Sequence, residues 1–353
     1  MGNPIKIAVA GVTGYTGMEL ARLLLHHPRL KGSSLTFLGR PGEDAGALPF
    51  LSELHPQLAN NNGARALKLK SFTWDGLKAR GVELLYLATP HEQSREWVPL
   101  AVAGGMRVID LSGAWRLQDE QNRAVYQFKD KDAEAASAVQ QKSVYGMPEL
   151  HAAALRNASV VANPGCYATS IILALAPLLR AGFVNLDRGI VCDAKSGVSG
   201  AGKEPSAKTH FMNAADNLSA YGVFSHRHTG ELLEQLELSA EQIIFTPHLL
   251  PIPRGILSTI YLEMDAQRSA EEIDSCYREF YATSPMVRWY GRRLPQIQYV
   301  ARTNFCDIGF ELAPDSRRVV LVSCLDNLLK GAASQAVQNM NLMYGWEESE
   351  GLL

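Results

Sequence analysis

A cysteine stands between a turn and an apolar run in "NPGCYATSIILALAPLL", residues 163–179. Val160-Val161-Ala162 reads as a strand ahead of it, and Asn163-Pro164-Gly165 is a strong turn signal. After Cys166 the pattern is that of a mostly buried helix. The sulfur would then sit at a helix N-terminus, among N–H groups without an intrahelical acceptor and at the positive end of the dipole. In such a place a thiol pKa falls from roughly 8.5 and the thiolate becomes available as a nucleophile. The plainer reading of the same residue is a small buried hydrophobe that fills a tight turn.

A nucleophile needs a proton acceptor nearby and a means of holding the substrate's charge. "SHRHTGELLEQL" concentrates His226, Arg227, His228 and Glu231 where a helix begins. An imidazole beside a carboxylate could be the base, and a polar surface cap is the alternative. His228 lies three residues before Glu231, which slightly favours it over His226. "FTPHLLPIPRGIL" adds His248 and Arg254, with Pro247, Pro251 and Pro253 stiffening the segment. An arginine held in that way suits a carboxylate or a phosphate.

A second feature is "AVAGVTGYTGMEL", which puts Gly11, Gly14 and Gly17 between a strand and a helix. Glycines let backbone turn tightly and approach a pyrophosphate, which rests on the helix N-terminus. The spacing is G-x-x-G-x-x-G rather than G-x-G-x-x-G, so its weight comes from the strand–turn–helix context. A tight βα turn with no ligand is the alternative. At the end of the next strand, "SLTFLGRPGED" offers Arg40 where a dinucleotide fold that binds NAD usually places an acid. A guanidinium suits a ribose 2′-phosphate, so NADP(H) is favoured over NAD. Glu43 and Asp44 follow slightly late, although a loop could bring them back.

These groups need a scaffold. "IKIAVA", "SLTFLG", "VELLYLA" and "MRVIDLSG" are short apolar runs separated by helical patterns such as "MELARLLLHHP" and "EQSREWVPLAVAGG". That alternation predicts an α/β, Rossmann-like, doubly wound parallel sheet. Beyond residue 164, "GIVCDAKSGVSG", "IIFTPHLLPIPRGILSTIYLEMD" and "RRVVLVSCLDN" have longer alternating stretches, which predict a second α+β domain built on a mixed sheet. "SAEEIDSCYREFYATSP" opens with a capping box, Ser269 and Glu272.

The chain has 353 residues, 46% hydrophobic and 20% charged, with a net charge of −2, which suits a two-domain protein with ample core. The charge balance argues against nucleic-acid or anionic-membrane partners. "MGNPIKIAVAG" lacks a secretory pattern and the Ser or Thr of a myristoylation motif. No apolar stretch is long enough to span a bilayer. Five scattered cysteines without a C-x-x-C pair fit a reducing cytoplasm better than disulfides or zinc. No metal site is expected, and "ANNNGA" around Asn60 reads as a loop tip.

Taken together, "GVTGYTG", "YLATPHEQS", "DLSGAWR", "YGMPEL", "NPGCYAT", "SGVSGAGK", "AYGVFSHRH", "PHLLPIPRG" and "DNLLKGAASQAVQNMNLM" resemble the N-acetyl-γ-glutamyl-phosphate reductase family, in order and over nearly the whole chain. The resemblance implies an NADPH enzyme of arginine biosynthesis that reduces an acyl phosphate through a cysteine thioester. It implies Cys166 as nucleophile, with His228, His226 and Glu231 supplying the base. Arg116, Ser196, Gly197, Gly200 and Arg254 would lie near the substrate. The cofactor would meet Gly11, Thr13, Gly14, Tyr15, Thr16, Gly17, Arg40 and Asn327. The family commonly continues "HRH" with Pro-Glu, whereas this chain has Thr229-Gly230-Glu231. The last helix would return to the cofactor domain, giving an NADP-binding domain of 1–164 and 326–353 around a catalytic, oligomerising domain of 165–325. A homo-oligomer, dimer or tetramer, is expected. Three alternatives remain at this stage: a sister reductase for aspartyl or carrier-bound acyl phosphates, a non-catalytic NADP sensor, and a metal-dependent hydrolase.

Overall fold

The structure is a computed structural model that describes residues 5–60 and 63–353. The reading of the first four residues, and part of the loop expected around Asn60, lie outside the described residues. The chain divides into two compact units. One holds the described residues up to Gln118 together with Tyr126–Pro164 and Ala332–Leu353, and the other holds Asp119–Val125 and Gly165–Gly331. The return to the first unit falls at Ala332, where the sequence places it at 326. Residues 326–331 stay with the second unit because Asn327 is hydrogen-bonded to its loops.

The first unit is built on a sheet of six parallel strands, β1 (Ile7–Ala10), β2 (Leu35–Phe37), β3 (Leu84–Leu87), β4 (Arg107–Asp110), β5 (Ser143–Tyr145) and β6 (Val160–Ala162), in the order β2-β1-β3-β4-β6-β5. β1, β3 and β6 are buried along their whole length, as strands covered on both faces must be. The chain passes from β1 to β2 on one side and then places β3 on β1's other side. Such a switch opens a crevice at the carboxyl end of β1, where this class of sheet binds ligands. The glycine turn is the segment that leaves β1 there.

The second unit is built on a seven-stranded mixed sheet in the order β11-β12-β13-β10-β7-β9-β8. Its strands are β7 (Ile190–Gly197), β8 (Ser219–Ala220), β9 (Ile243–Leu250), β10 (Ile256–Glu263), β11 (Val287–Trp289), β12 (Cys306–Leu312) and β13 (Arg318–Leu325). β7 and β9 are parallel, as are β11 and β12, and the remaining pairs are antiparallel. The helix Cys166–Arg180 packs on β10 and β13 and is buried from Tyr167 to Leu178. Its Ser170 Oγ lies 2.9 Å from Ser258 Oγ and 3.0 Å from Ser323 Oγ. Hydroxyls removed from water need such partners, so this cluster fixes the helix along its axis and with it the helix's first residue. The capping box is present, with Ser269 N–H on Glu272 and Glu272 N–H on Ser269. Among the described residues no helix is long and apolar enough to cross a membrane.

Candidate active site

Cys166 is the first residue of its helix, preceded by Gly165 in extended conformation, and no side chain caps that helix end. The N–H groups of the first turn therefore have no intrahelical acceptor, which suits a thiolate or an oxyanion. Cys166 is partly exposed, whereas Cys192, Cys306 and Cys324 are buried. Burial pushes the thiols of Cys192, Cys324 and Cys276 up, which keeps them protonated. Gly331 approaches so closely that a Cβ there would lie 2.8 Å from Cys166 Cβ. It sits in a π-helical stretch, Leu329–Ala333, ahead of the final helix Ser334–Met343. The sequence shows that region as one continuous helical pattern.

The histidine segment meets the cysteine helix through the residue before Cys166. Glu231, with its side chain wholly buried, accepts the Gly165 N–H at 2.8 Å through one carboxylate oxygen. The other oxygen lies 3.9 Å from His228 Nε2. The His228 ring packs on Gly165, where a Cβ would come within 2.4 Å of Nε2. Glu231 lies in the first turn of the helix Thr229–Leu236, with His228 just ahead of it. Thr229-Gly230 forms that helix start without a proline.

His226 differs. Its Nδ1 accepts the N–H of His228 at 3.1 Å, and its ring meets the edges of Tyr167, His228 and Phe245. Burial, helped by the neighbouring Arg227 charge, holds its pKa down at about 4. It is therefore neutral at pH 7 with one nitrogen already occupied. Tyr167 donates to the carbonyl of His248 at 2.7 Å, and burial raises its phenol above the usual range. His248 itself faces Asp193, which also pairs with Lys195.

Ser196, Gly197, Gly200 and Arg254 come together in the second unit. A Cβ on Gly197 would lie 2.7 Å from the backbone nitrogen of Arg254, and one on Gly200 would lie 3.0 Å from Ser196 Oγ. Arg254 Nη1 stands 3.5 Å from the buried Asp326 carboxylate. Asn327 is held among these loops, accepting from Gly255 N–H and donating to Ser199.

In the first unit the three glycines have different reasons. Gly11 has φ +84, and a Cβ on it would meet the Ala88 carbonyl at 2.2 Å. A Cβ on Gly17 would meet the Gly11 carbonyl at 2.2 Å. Both are demanded by packing. At Gly14 the nearest heavy atom to a Cβ is 3.6 Å away, so the fold leaves room there. Gly14 precedes the helix Tyr15–His26, whose N-terminus no side chain caps. Open space over uncapped N–H groups at the carboxyl end of β1 fits the pyrophosphate of a dinucleotide. His55, which the sequence reading did not single out, holds this turn by a 2.7 Å contact from Nε2 to the Val12 carbonyl.

Arg40 is exposed at the end of the β2 segment, and its N–H donates to the Glu43 carboxylate at 2.8 Å. The loop does bring Glu43 back, onto the backbone of Arg40. Arg116 is buried and donates to the carbonyls of Asn163 at 2.8 Å and Leu111 at 3.0 Å. It thus secures the turn residue three positions before Cys166. Asn163 in turn donates to the Ala332 carbonyl and accepts from Asn339, so the final helix is fastened to the end of β6.

Residues 6–158 match the family described as "Semialdehyde dehydrogenase, NAD binding domain", and residues 166–327 match "Semialdehyde dehydrogenase, dimerisation domain". The first unit therefore carries a nicotinamide-cofactor-binding domain. Curated relatives named N-acetyl-gamma-glutamyl-phosphate reductase include one from Desulfotalea psychrophila, 42% identical over 99% of this chain and 98% of its own. Another, from Methanocaldococcus jannaschii, is 40% identical over 98% and 97%. The fold is similar to that of aspartate semialdehyde dehydrogenase II from Vibrio cholerae, with a TM-score of 0.71 at 18% identity over 98% of this chain and 99% of that one.

Proposed function

Because this chain belongs to the N-acetyl-γ-glutamyl-phosphate reductase family, we propose that it reduces N-acetyl-γ-glutamyl phosphate to N-acetylglutamate 5-semialdehyde and phosphate, through a thioester on Cys166. The observation that carries the reading is Cys166 itself: a partly exposed thiol at an uncapped helix start, with Glu231 and His228 against the residue before it.

The Cys166 thiolate attacks the γ-acyl carbon and phosphate leaves. The leaving group is good, so the protein's main task is to orient the acyl group and stabilise the tetrahedral oxyanion. N–H groups of the first turn after Cys166 are placed for that, and one such donor is worth about 2.7–4 kcal/mol. His228 takes the thiol proton and later returns one to the departing sulfur. Glu231 orients His228 and stabilises its charged form. His226, neutral and occupied, supports the His228 backbone. Arg254, beside Ser196, Gly197 and Gly200, holds the substrate's anionic group.

NADPH, when bound, supplies the hydride that converts the thioester to the aldehyde level. Gly11, Thr13, Gly14, Tyr15, Thr16 and Gly17 would hold its pyrophosphate, and Arg40 would hold the 2′-phosphate. The protein works as a homo-oligomer, dimer or tetramer, in the reducing cytoplasm. Val191, Ile244 and Tyr261, at 39%, 43% and 46% exposure, are cross-strand neighbours on one face of the mixed sheet. That apolar face supports self-association.

The test is reduction of NADP by the purified protein with N-acetylglutamate semialdehyde, with and without inorganic phosphate. Phosphate-dependent NADPH formation is expected. Faster turnover of aspartate semialdehyde would reassign the substrate, and phosphate-independent oxidation would remove the acyl-phosphate chemistry.

A further inference from the structure

Asp110 closes β4 and is wholly buried. A carboxylate removed from water needs donors, and this one finds them first in the loop that follows it, "LSGAWR", residues 111–116. One oxygen accepts the Ser112 N–H at 3.2 Å, and the other accepts the Ser112 hydroxyl at 2.7 Å. Ser94, in the helix His91–Ala103, adds a hydrogen bond from its own hydroxyl. Burial pushes the carboxyl pKa up, and these hydrogen bonds and the Arg116 charge oppose the rise.

Both serines pass the contact on. Ser112 Oγ accepts the Ala114 N–H at 3.1 Å, and Ser94 Oγ accepts the Trp115 indole N–H at 3.2 Å. Two relays therefore run from one carboxylate to the two residues ahead of Arg116. The backbone of Asp110 completes the frame, because its carbonyl accepts the Asn163 N–H at 2.8 Å. Arg116 spans the same segments, donating to the carbonyls of Asn163 and Leu111. A planar guanidinium recognises an anion best when its direction is set in advance, and this frame sets it.

We propose that Asp110 is a positioning residue for Arg116, holding through Ser112 and Ser94 the loop that carries the guanidinium. The proposal rests on the reading of Arg116 as a residue near the substrate, and through it on the proposed reaction. It gives a part in substrate binding to a buried acid that the chemical steps do not use. Its loss should be felt by the acyl phosphate more than by NADPH.

Full-length protein carrying Asp110→Asn, Ser94→Ala, Arg116→Lys, or Asp110→Asn with Arg116→Lys is compared with wild type, varying the acyl phosphate and NADPH separately. Asp110→Asn keeps the shape of the side chain. It is expected to raise KM for the acyl phosphate about tenfold, the scale of one or two hydrogen bonds, with kcat and KM for NADPH within about threefold of wild type. Ser94→Ala cuts only the relay to Trp115 and is expected to raise the same KM by a smaller factor. The double variant is expected to resemble Arg116→Lys alone, since residues that act as a unit are not additive. An unchanged acyl-phosphate KM in Asp110→Asn, equal rises in both KM values, or a double effect equal to the product of the single ones overturns the proposal. Arg116→Lys with an unchanged acyl-phosphate KM removes Arg116 from the substrate and the positioning role with it. A wild type that does not turn over the acyl phosphate removes the proposed reaction as well. If Asp110→Asn does not fold, Ser94→Ala, which leaves the carboxylate in place, decides by the same split between the two KM values.

Discussion

Glu231 and Gly165 are joined by a 2.8 Å hydrogen bond from the backbone N–H to a wholly buried carboxylate, whose other oxygen faces His228 at 3.9 Å. One side chain therefore ties the start of the cysteine helix to the segment that carries the histidines. Glu231→Gln keeps an acceptor for Gly165 and removes the charge beside His228. It is expected to fold normally and to lose turnover towards the about 10²–10⁴-fold that a general base contributes. Glu231→Ala also strands the Gly165 N–H, which costs about 1–3 kcal/mol more in stability. Urea unfolding and kcat measured on both variants separate the two roles, and wild-type turnover in the Gln variant would leave Glu231 with a structural role only.

His226 and His228 should part company in pH experiments. The folded pKa of His226 is held down at about 4 by burial, and an unfolded histidine titrates near 6.5. Its neutral form costs nothing above pH 6.5, where both states are neutral. As pH falls from about 6.5 to about 4 the unfolded chain takes up the proton first, and stability is lost. His226→Asn should flatten that part of the stability–pH profile, by up to about 1.4 kcal/mol per pH unit, and reduce turnover less than about tenfold. His228→Ala should lose about 10²–10⁴-fold. The reverse ranking would move the base to His226.

Gly331 tests how tightly Cys166 is held. A methyl group there meets Cys166 Cβ at 2.8 Å, so one of the two must move. Overpacking of this kind costs about 1–3 kcal/mol. Gly331→Ala is expected to lower kcat strongly while the affinity for NADPH, followed by its fluorescence, stays near wild type. Unchanged kcat would mean that the cysteine tolerates displacement.

The glycine turn yields a prediction in which stability and binding separate. Gly17→Ala forces a methyl into the Gly11 carbonyl and should lower the thermal midpoint. Gly14→Ala has room in the fold and should leave the midpoint unchanged while weakening NADPH binding. Arg40→Ala should weaken NADPH by about 10–150-fold, the scale of a hydrogen bond to a charged group, and hardly alter NADH. Because the Glu43 carboxylate folds back onto the Arg40 N–H, an unchanged preference would point to backbone N–H groups as the 2′-phosphate site.

The cysteine helix, the glycine turn and the mixed second sheet were legible because each depends on local signals: a Pro-Gly stop, a strand–glycine–helix order and long alternating strands. β5 was not, since Ser143–Tyr145 lacks the apolar run that marks the equally short β2 and β6, and only its Tyr145 is buried. The chemistry of "HRH" was legible only as a pair. Two histidines two residues apart look alike in sequence, and what separates them is burial and the contacts of Glu231, which tertiary packing supplies. Arg116 and His55 show the same limit. Their side chains are directed at backbone carbonyls distant in sequence, and no spacing rule reports such a bond.

The most direct test of the thioester mechanism is a single turnover without cofactor. The protein is mixed with N-acetyl-γ-glutamyl phosphate in the absence of NADPH, and released phosphate and the mass of the intact and digested chain are measured together. A stoichiometric burst of phosphate with one N-acetylglutamyl group on the Cys166 peptide, discharged as aldehyde when NADPH is added, is the predicted result. No burst with a native, cofactor-competent protein, or an acyl group on any residue other than Cys166, would contradict it.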